Sequence, residues 1–228
     1  MKSGSPRKAR PLVVLLTGFG PFPGAPFNPT GPLIHRLARI KRPGLADVRL
    51  VPHVFPTSYR AVDDELPRLL SELQPDAMLM FGLATGSRGL RVETRARNAF
   101  SALIRDAEGH LSFATSIAAG GPRALHFDIP AQRLALAARA ARVPALPSRD
   151  AGRYLCNYLC WRAIESAAIP GGPRLATFVH VSKPRHGPVR RNARRRYLLH
   201  MAELERGGQA ILLAVVAAAR AKRRMNEV

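Results

Sequence analysis

The chain has 228 residues, of which 46% are hydrophobic, and this composition suits one folded domain and excludes a disordered chain. Its 36 basic residues outnumber its 15 acidic residues and give a formal net charge of +21, which attracts polyanions non-specifically. No aromatic residues are interleaved with the basic ones, so a dedicated nucleic-acid-binding surface is not expected.

The first half of the chain alternates apolar runs with helical periodicity. After the basic stretch Met1 to Arg10, which we expect to be a flexible arm, continuous apolar runs predict strands buried on both faces. Apolar residues at helical spacing predict helices. The predicted elements are, in chain order, a strand at Leu12 to Thr17, a helix from Pro32 to about Ile40 capped by Thr30 or Gly31, a strand at Val48 to Val54, and a helix to Leu73 capped by Ser58.

The second half continues this alternation through one irregular stretch. The predicted elements are, in chain order, a strand at Ala77 to Phe81, a short extended segment at Leu90 to Arg97, an irregular stretch at Ala99 to Arg123, a helix at Gln132 to Arg142, a short strand at Val143 to Leu146, a helix from about Ala151 to Ala168, a strand at Leu175 to Val181 and a helix at Gly208 to Arg223. Strands separated by helices predict one α/β domain over residues 11–228, with a parallel or mixed sheet and helices on both faces.

No membrane-spanning segment is expected. The apolar run Leu12 to Leu16 is too brief for the hydrophobic region of a signal peptide. The run Ala210 to Ala219 covers about half of a membrane span. We therefore expect a soluble protein.

The chemically interesting residues converge on one edge of the predicted sheet. Gly18, Gly82 and His180 lie at or near the carboxyl ends of predicted strands, and Cys156 starts a helix just after one. Ligands bind at that edge in open α/β sheets. A thiol near the start of a helix feels the partial positive charge of unpaired N–H groups, which favours the nucleophilic thiolate. Cys156 is thus a candidate nucleophile of a cysteine peptidase, although a helical cysteine is more often inert core.

The second cysteine and the histidines limit the alternatives. Cys160 follows Cys156 with C-x3-C spacing, which forms neither a disulfide framework nor a zinc knuckle. We expect Cys160 to be a small buried hydrophobe. The other histidines show no metal-ligand spacing, so no metal site is predicted. So few thiols fit the reducing cytoplasm.

Several motifs resemble the pyroglutamyl peptidase I (pyrrolidone-carboxylate peptidase) family. Thr17 to Gly24 is similar to its opening T-G-F-x-P-F-x-G, and Ser148 to Asn157 resembles its cysteine motif S-x-x-A-G-x-[FY]-x-C-N at each defined position. Phe178 to Val181 resembles its F-[IV]-H-[IV] segment. Gly82, with Glu93 eleven residues later, is similar to its glutamate segment. The matches span about residues 12 to 184 in the family's order.

This resemblance implies a cytoplasmic thiol hydrolase that removes an amino-terminal pyroglutamate from peptides. It implies a three-layer αβα sandwich with a mostly parallel twisted sheet, self-association as a dimer or tetramer, and neither metal nor cofactor. The matching positions make Cys156 the nucleophile, His180 the general base and Glu93 the group that orients His180, an arrangement sufficient for acyl transfer. Phe19 and Phe22 match the family's ring-holding phenylalanines. The resemblance also implies that the backbone at Leu83 takes part in binding the ring.

The sequence also departs from the family pattern, and this leaves alternatives open. Leu83 stands where the family usually has Gln, and Thr85 and Ser87 replace the Gly and Arg of the G-Q-A-G-G-R loop. Arg91, Thr94 and Arg95 replace the typical residues around Glu93. Leu103 aligns with an arginine near the oxyanion site, although Arg105 stands two residues away. The chain is therefore either a pyroglutamyl peptidase, a slow or retargeted member, or a decayed basic binding protein that uses the arginine run Arg190 to Arg196.

Overall fold

A computed structural model describes residues 10–22, 25–112, 114–185 and 199–225. Its sheet strands and helices alternate along most of the chain, as the sequence pattern predicts. The strands are β1 (Leu12–Phe19), β2 (Val48–Phe55), β3 (Ala77–Leu83), β4 (Leu90–Glu93), β5 (Arg95–Arg97), β6 (Ala124–His126), β7 (Ala145–Ser148) and β8 (Leu175–Val181). The helices are α1 (Thr30–Ala38), α2 (Tyr59–Leu73), α3 (Ala131–Ala140), α4 (Leu155–Ala167) and α5 (Met201–Met225), with one 3-10 turn at Pro43–Leu45.

Six strands form one mixed sheet in the order β2-β1-β3-β8-β4-β7. The neighbours β2, β1, β3 and β8 are parallel to one another, β4 is antiparallel to β8, and β7 is parallel to β4. Strands β5 and β6 form a separate antiparallel pair. The predicted mostly parallel sheet with helices on both faces is therefore confirmed.

The alternation of side chains along the strands creates two cores, one on each face of the sheet. On β1, Val14 and Leu16 face the core that α1, α3 and α5 cover, whereas Leu15 faces the core that α2 and α4 cover. In the second core Trp161 is 1% exposed. Burying a large apolar side chain in this way stabilises a fold by about 1.5–3 kcal/mol. The two cores give the three αβα layers.

Helix starts show where the sequence interpretation was right and wrong. Ser58 caps α2 as predicted, because its hydroxyl accepts a hydrogen bond from the Ala61 N–H at 3.3 Å. The predicted cap of α1 by Thr30 or Gly31 was wrong, since Thr30 is the first helical residue. The Thr30 hydroxyl instead donates to the carbonyl of Phe19 at 3.1 Å and accepts from its N–H at 3.0 Å. This residue therefore fastens the start of α1 to the end of β1.

Other element boundaries also differ from the prediction. Strand β6 was missed, and the extended segment at residues 90–97 is two strands interrupted at Thr94. Helix α5 begins seven residues before Gly208, and α4 begins at Leu155, four residues after the predicted start. Each of these departures depends on tertiary contacts that periodicity does not encode.

Two further predictions concern membrane-spanning segments and the basic N-terminal arm. None of the helices in the described ranges has the length and hydropathy that crossing a membrane requires. The predicted basic arm lies outside the described residues except for Arg10, which pairs with the buried Asp76 at 3.1 Å. The division into an arm and a single domain over residues 11–228 stays a prediction.

Candidate active site

The cysteine motif forms a turn that delivers Cys156 to the first turn of α4. The Ser148 hydroxyl accepts the Asp150 N–H at 3.2 Å, and the Asp150 carboxylate accepts the Gly152 N–H at 3.0 Å. Gly152 has a φ of 82°, which a residue without a Cβ adopts freely. Cys156 is then the second residue of the helix, where backbone N–H groups lack helical partners.

His180 and Glu93 meet across neighbouring strands. His180 lies on β8 and is paired with Arg91 of β4, two residues before Glu93. The Nδ1 of His180 is 2.8 Å from the Oε1 of Glu93, and the two residues are 5% and 0% exposed. The other carboxylate oxygen of Glu93 accepts the Asp150 N–H at 3.2 Å. Glu93 therefore holds both the imidazole and the loop that leads to Cys156.

Gly82 brings Cys156 to His180. On β3, Gly82 is the register partner of His180 on β8. A Cβ added to Gly82 would lie 2.7 Å from the Cys156 Sγ and 2.6 Å from the Phe178 Cζ. The sulfur atom therefore lies against the backbone of Gly82, the register partner of His180. Only a glycine at this position leaves room for the sulfur.

The charges of this cluster favour a protonated imidazole. Burial of His180 opposes its charged form, but the charge of the nearby Cys156, together with the hydrogen bond and charge of Glu93, outweighs burial. These groups raise the pKa of His180 from 6.5 to about 9. At neutral pH the arrangement therefore supports an imidazolium next to the Cys156 sulfur, placed to exchange protons with the reacting groups.

Comparisons with known proteins agree with this geometry. Residues 12–189 match the model of the pyroglutamyl peptidase family. The chain belongs to the pyroglutamyl peptidase family. It is 33% identical over 170 residues to the pyrrolidone-carboxylate peptidases of Thermococcus onnurineus and Pyrococcus furiosus, covering 75% of this chain and 83% and 80% of those relatives. The predicted family and peptidase class are confirmed.

Solved structures of pyroglutamyl peptidases share the fold. The crystal structure of Bacillus amyloliquefaciens pyroglutamyl peptidase I is similar with a TM-score of 0.79 and 25% identity, over 91% of this chain and 98% of that one. A mutant pyrrolidone carboxyl peptidase from Pyrococcus furiosus gives a TM-score of 0.80 and 26% identity, over 91% and 100% of the two chains. The predicted αβα class is therefore confirmed by the sheet and by these likenesses.

The residues predicted to hold the substrate ring lie at the same edge of the sheet. Leu83 directly follows Gly82 at the end of β3 and is half-buried. Phe19 ends β1, and its ring centroid is 6.2 Å from that of Phe55. Phe22 follows in the next loop and is half-buried. Phe19 and Cys156 pack against the same apolar cluster.

Two residues of the cysteine motif to which the sequence interpretation gave no role have defined surroundings in the structure. Asn157 is fully buried, accepts the Arg97 N–H at 2.7 Å and donates to the Arg97 carbonyl at 2.8 Å. Burial, the charge of Asp106 and that of Cys156 raise the pKa of Tyr154 to about 12, so its phenol stays neutral. The motif letters include both positions, but only the fold reveals that Asn157 anchors α4 to β5.

The departures from the family pattern have distinct surroundings. Leu103 is 92% exposed, and the Arg105 guanidinium donates to the Gly109 carbonyl of its own loop at 2.9 Å. The Arg91 Nη2 lies 3.6 Å from the Glu93 Oε1 and donates to the Ser148 hydroxyl at 2.8 Å. Arg91 therefore adds a positive charge beside the carboxylate that contacts His180.

The described part of the chain offers no alternative metal-based site. Within residues 10–22, 25–112, 114–185 and 199–225, no group of three or more His, Cys, Asp or Glu side chains is placed to hold a metal ion. The second thiol, Cys160, is fully buried one helical turn after Cys156. Burial and the charges of Cys156 and Glu93 raise the pKa of Cys160, which keeps it as an unreactive thiol.

Proposed function

We propose that this chain hydrolyses the amide bond after an N-terminal pyroglutamyl residue, with Cys156 as nucleophile, His180 as general base and Glu93 as the orienting group. The observation that carries this proposal is the 2.8 Å contact between His180 and Glu93, with the Cys156 sulfur against the neighbouring Gly82. The family's curated relatives carry the name pyrrolidone-carboxylate peptidase. The two halves of the reaction use the Cys156 sulfur and the His180 imidazole.

The first half of the reaction is acylation. The Cys156 thiolate attacks the pyroglutamyl carbonyl carbon, and the carbonyl electron pair moves to oxygen. Backbone N–H groups in the first turn of a helix lack helical acceptors, so those of α4 can donate to that oxyanion, a type of interaction worth about 10²–10³ in rate. The His180 imidazolium then gives its proton to the leaving amine as the C–N bond breaks.

The second half regenerates the enzyme. Neutral His180 removes a proton from water, the hydroxide oxygen attacks the thioester carbonyl, and the carbon–sulfur bond breaks to release pyroglutamate and the thiolate. Glu93 accepts the Nδ1–H of His180, which leaves Nε2 to exchange protons with the reacting groups. Its second oxygen is held by the Asp150 N–H, so the carboxylate stays in one orientation.

The pyroglutamyl ring is small, flat and uncharged, and it has no free amino group. We assign its binding to Phe19, Phe22 and the backbone at Leu83. Phe19 and Leu83 end the adjacent strands β1 and β3, and Phe22 lies in the loop after β1. Apolar walls suit such a ring because it carries no charge that must be desolvated. This assignment rests on their place at the edge of the sheet and on the family motif.

The wider setting of the protein is also part of the proposal. An enzyme that depends on a free thiol works in a reducing compartment, so we assign it to the cytoplasm. We further propose that it self-associates as a dimer or tetramer, which light scattering after gel filtration measures. Its charge of +21 attracts polyanions non-specifically, and such binding disappears as salt rises.

The alternative of a catalytically decayed binding protein is not favoured. The site residues Cys156, His180 and Glu93 are all present and lie in one cluster. The arginine run Arg190 to Arg196, on which that alternative partly rests, lies outside the described residues. A slow or retargeted enzyme differs from the proposal only in rate or in the blocked N-terminus that it accepts, which a panel of N-blocked peptide amides distinguishes.

The decisive test uses a fluorogenic pyroglutamyl amide under reducing conditions. Wild type should release the fluorophore, and Cys156→Ala should lose release to background. Cys160→Ala is the matched control because it removes a thiol from the same helix, four residues away, and should retain activity. Release that survives in Cys156→Ala, or that is absent from a folded wild type, would refute the proposal.

A further inference from the structure

A cavity of about 490 Å³ lies between the β3–β4 loop and the edge strand β7. It is separate from the cysteine, and its size is within the range of about 300–1,000 Å³ typical of small-molecule sites. It is lined by ten residues, among them Ser87, Arg88, Gly89, Arg91, Arg139 and Pro144. Three of them are arginines and none is acidic.

The walls of this cavity are held by short backbone contacts. The Leu90 N–H donates to the Pro144 carbonyl at 2.9 Å, and a Cβ on Gly89 would lie 2.6 Å from the same oxygen. The Ser87 hydroxyl donates to the Gly89 carbonyl at 2.7 Å. The loop therefore rests directly on the segment before β7, so the site is formed before any ligand arrives.

The three guanidinium groups are fixed to different degrees. Arg139 donates from Nε to the Ala145 carbonyl at 2.6 Å, which leaves its terminal nitrogens outside that bond. Arg91 donates to the Ser148 hydroxyl and the Asp150 carbonyl through Nη2. The Arg88 side chain is exposed and, within the described ranges, has no hydrogen bond or ion pair. Glu93, 3.6 Å from Arg91, is the carboxylate that partly offsets this charge.

Like charges in one concave site repel one another, and an anion placed between them relieves that repulsion. Guanidinium groups also bind phosphate and carboxylate oxygens through paired N–H donors. Ser87 and Arg91, which line the cavity, are two of the positions where the sequence departs from the family pattern.

We propose that this cavity is an anion-binding site for a small molecule that carries a phosphate or carboxylate group. The inference is independent of the hydrolytic function proposed above. Arg88 and Arg139 supply the N–H donors for the anion. Arg91 forms the part of the cavity wall next to Glu93.

The test is titration calorimetry of the full chain with inorganic phosphate and, separately, with malonate, at an ionic strength fixed with chloride. We compare wild type with Arg88→Gln and Arg139→Gln. Each substitution should weaken binding about tenfold or more, since it removes charge-assisted hydrogen bonds. The matched control is Arg133→Gln, an exposed arginine on the same helix as Arg139 that does not line the cavity. Arg91 is left unchanged because it contacts Glu93.

Saturable binding of one anion per chain that is lost in both variants and kept in the control supports the site. The tighter of the two probes then identifies the group as phosphate or carboxylate. Binding that does not saturate, or that falls equally in all three variants, would show only general attraction to the basic surface and would overturn the proposal. Absence of binding by both probes overturns it as well. Circular dichroism and melting temperatures without anion verify that each variant is folded.

Discussion

Replacing Gly82 by alanine tests how closely the nucleophile is packed against the sheet. The added Cβ would lie 2.7 Å from the Cys156 Sγ, about 0.7 Å inside the 3.4 Å at which ordinary contact begins. It would also lie 2.6 Å from the Phe178 Cζ. Phe178 is fully buried, so its ring has little room to move away from the new methyl group. We therefore expect the Cys156 sulfur to move instead.

A shift of that size is large on the scale of catalysis. Misplacing a reacting group by about 1 Å can reduce a rate roughly 10²-fold. We therefore expect Gly82→Ala to lower kcat/KM on a pyroglutamyl amide by about 10²-fold. Overpacking of a filled core costs about 1–3 kcal/mol, so the melting temperature should also fall, while the variant stays folded at assay temperature.

The control is Gly31→Ala, in which the new Cβ makes ordinary contact with Val54 at 3.6 Å. It places the same methyl group at another buried glycine and should leave kcat/KM unchanged. The rate at which iodoacetamide alkylates Cys156 gives a second readout that needs no substrate, and it should fall with kcat/KM in Gly82→Ala. A Gly82→Ala enzyme with wild-type kinetics and alkylation rate would refute the placement of the sulfur against Gly82.

Three further predictions concern the groups around the site and the opposite edge of the sheet. Glu93→Gln keeps the shape but removes the charge that orients His180, so kcat should fall about 10²–10⁴-fold with a smaller change in KM; an unchanged kcat in steady-state assays contradicts the orienting role. The folded pKa of His180, about 9, exceeds its ordinary value of 6.5. The stability it contributes is therefore full below pH 6.5 and is lost as pH rises through about 9. Chemical denaturation across pH 6 to 10 should show that loss, reduced in Cys156→Ala, and equal pH dependence of the two proteins would count against the ion pair. Asp76→Ala leaves the buried Val13 N–H without its 2.9 Å acceptor and should cost about 1–3 kcal/mol of unfolding free energy; kcat should be preserved, and a stable variant would show that the bond contributes little.

Much of the fold could be predicted from apolar runs because the central strands are buried on both faces. Leu12, Ala77 and Leu175 each begin a run that the structure keeps as a strand. Their direction was also inferred correctly, since helical connections between strands favour parallel pairing. The short strand β4 was harder to interpret. The pattern of apolar residues in a four-residue strand does not indicate that the strand runs antiparallel to β8.

Thr94 illustrates why local pattern was insufficient there. Its N–H and hydroxyl both donate to the Ser148 carbonyl, at 2.7 and 2.9 Å, and its carbonyl accepts the Phe127 N–H at 3.1 Å. These contacts interrupt the extended segment and direct its second part to β6. The partners are more than 30 positions away in sequence, so no local signal announces the break.

The early start of α5 has a different cause. Glycine is unfavourable inside a helix in isolation, and the sequence pattern predicts a helix only from Gly208. In the fold a Cβ on Gly207 would lie 2.7 Å from Leu90 and 2.9 Å from Val143. The glycine allows the helix to lie close against β4 and the segment before β7, and this packing outweighs its low propensity.

Cys156 could be singled out because its motif combines a turn, a helix start and an aromatic position in ten residues, whereas His180 and Glu93 were assigned through the resemblance to the family. From the sequence alone, Glu93 is also a candidate for a salt bridge with Arg91, Arg95 or Arg97. The structure contains both contacts, at 2.8 Å to His180 and 3.6 Å to Arg91. The hydrogen bond to His180 and the ion pair with Arg91 therefore exist together, since the Oε1 atom of Glu93 contacts both groups.

The central claim is that Cys156, activated by His180, forms the covalent bond with the pyroglutamyl group. Incubation with a pyroglutamyl chloromethyl ketone, followed by peptide mass spectrometry, locates the thioether that forms as chloride leaves. The account predicts one adduct per chain, on Cys156, and a much slower reaction in His180→Ala. An adduct on Cys160, or none on a folded wild-type protein, would contradict it.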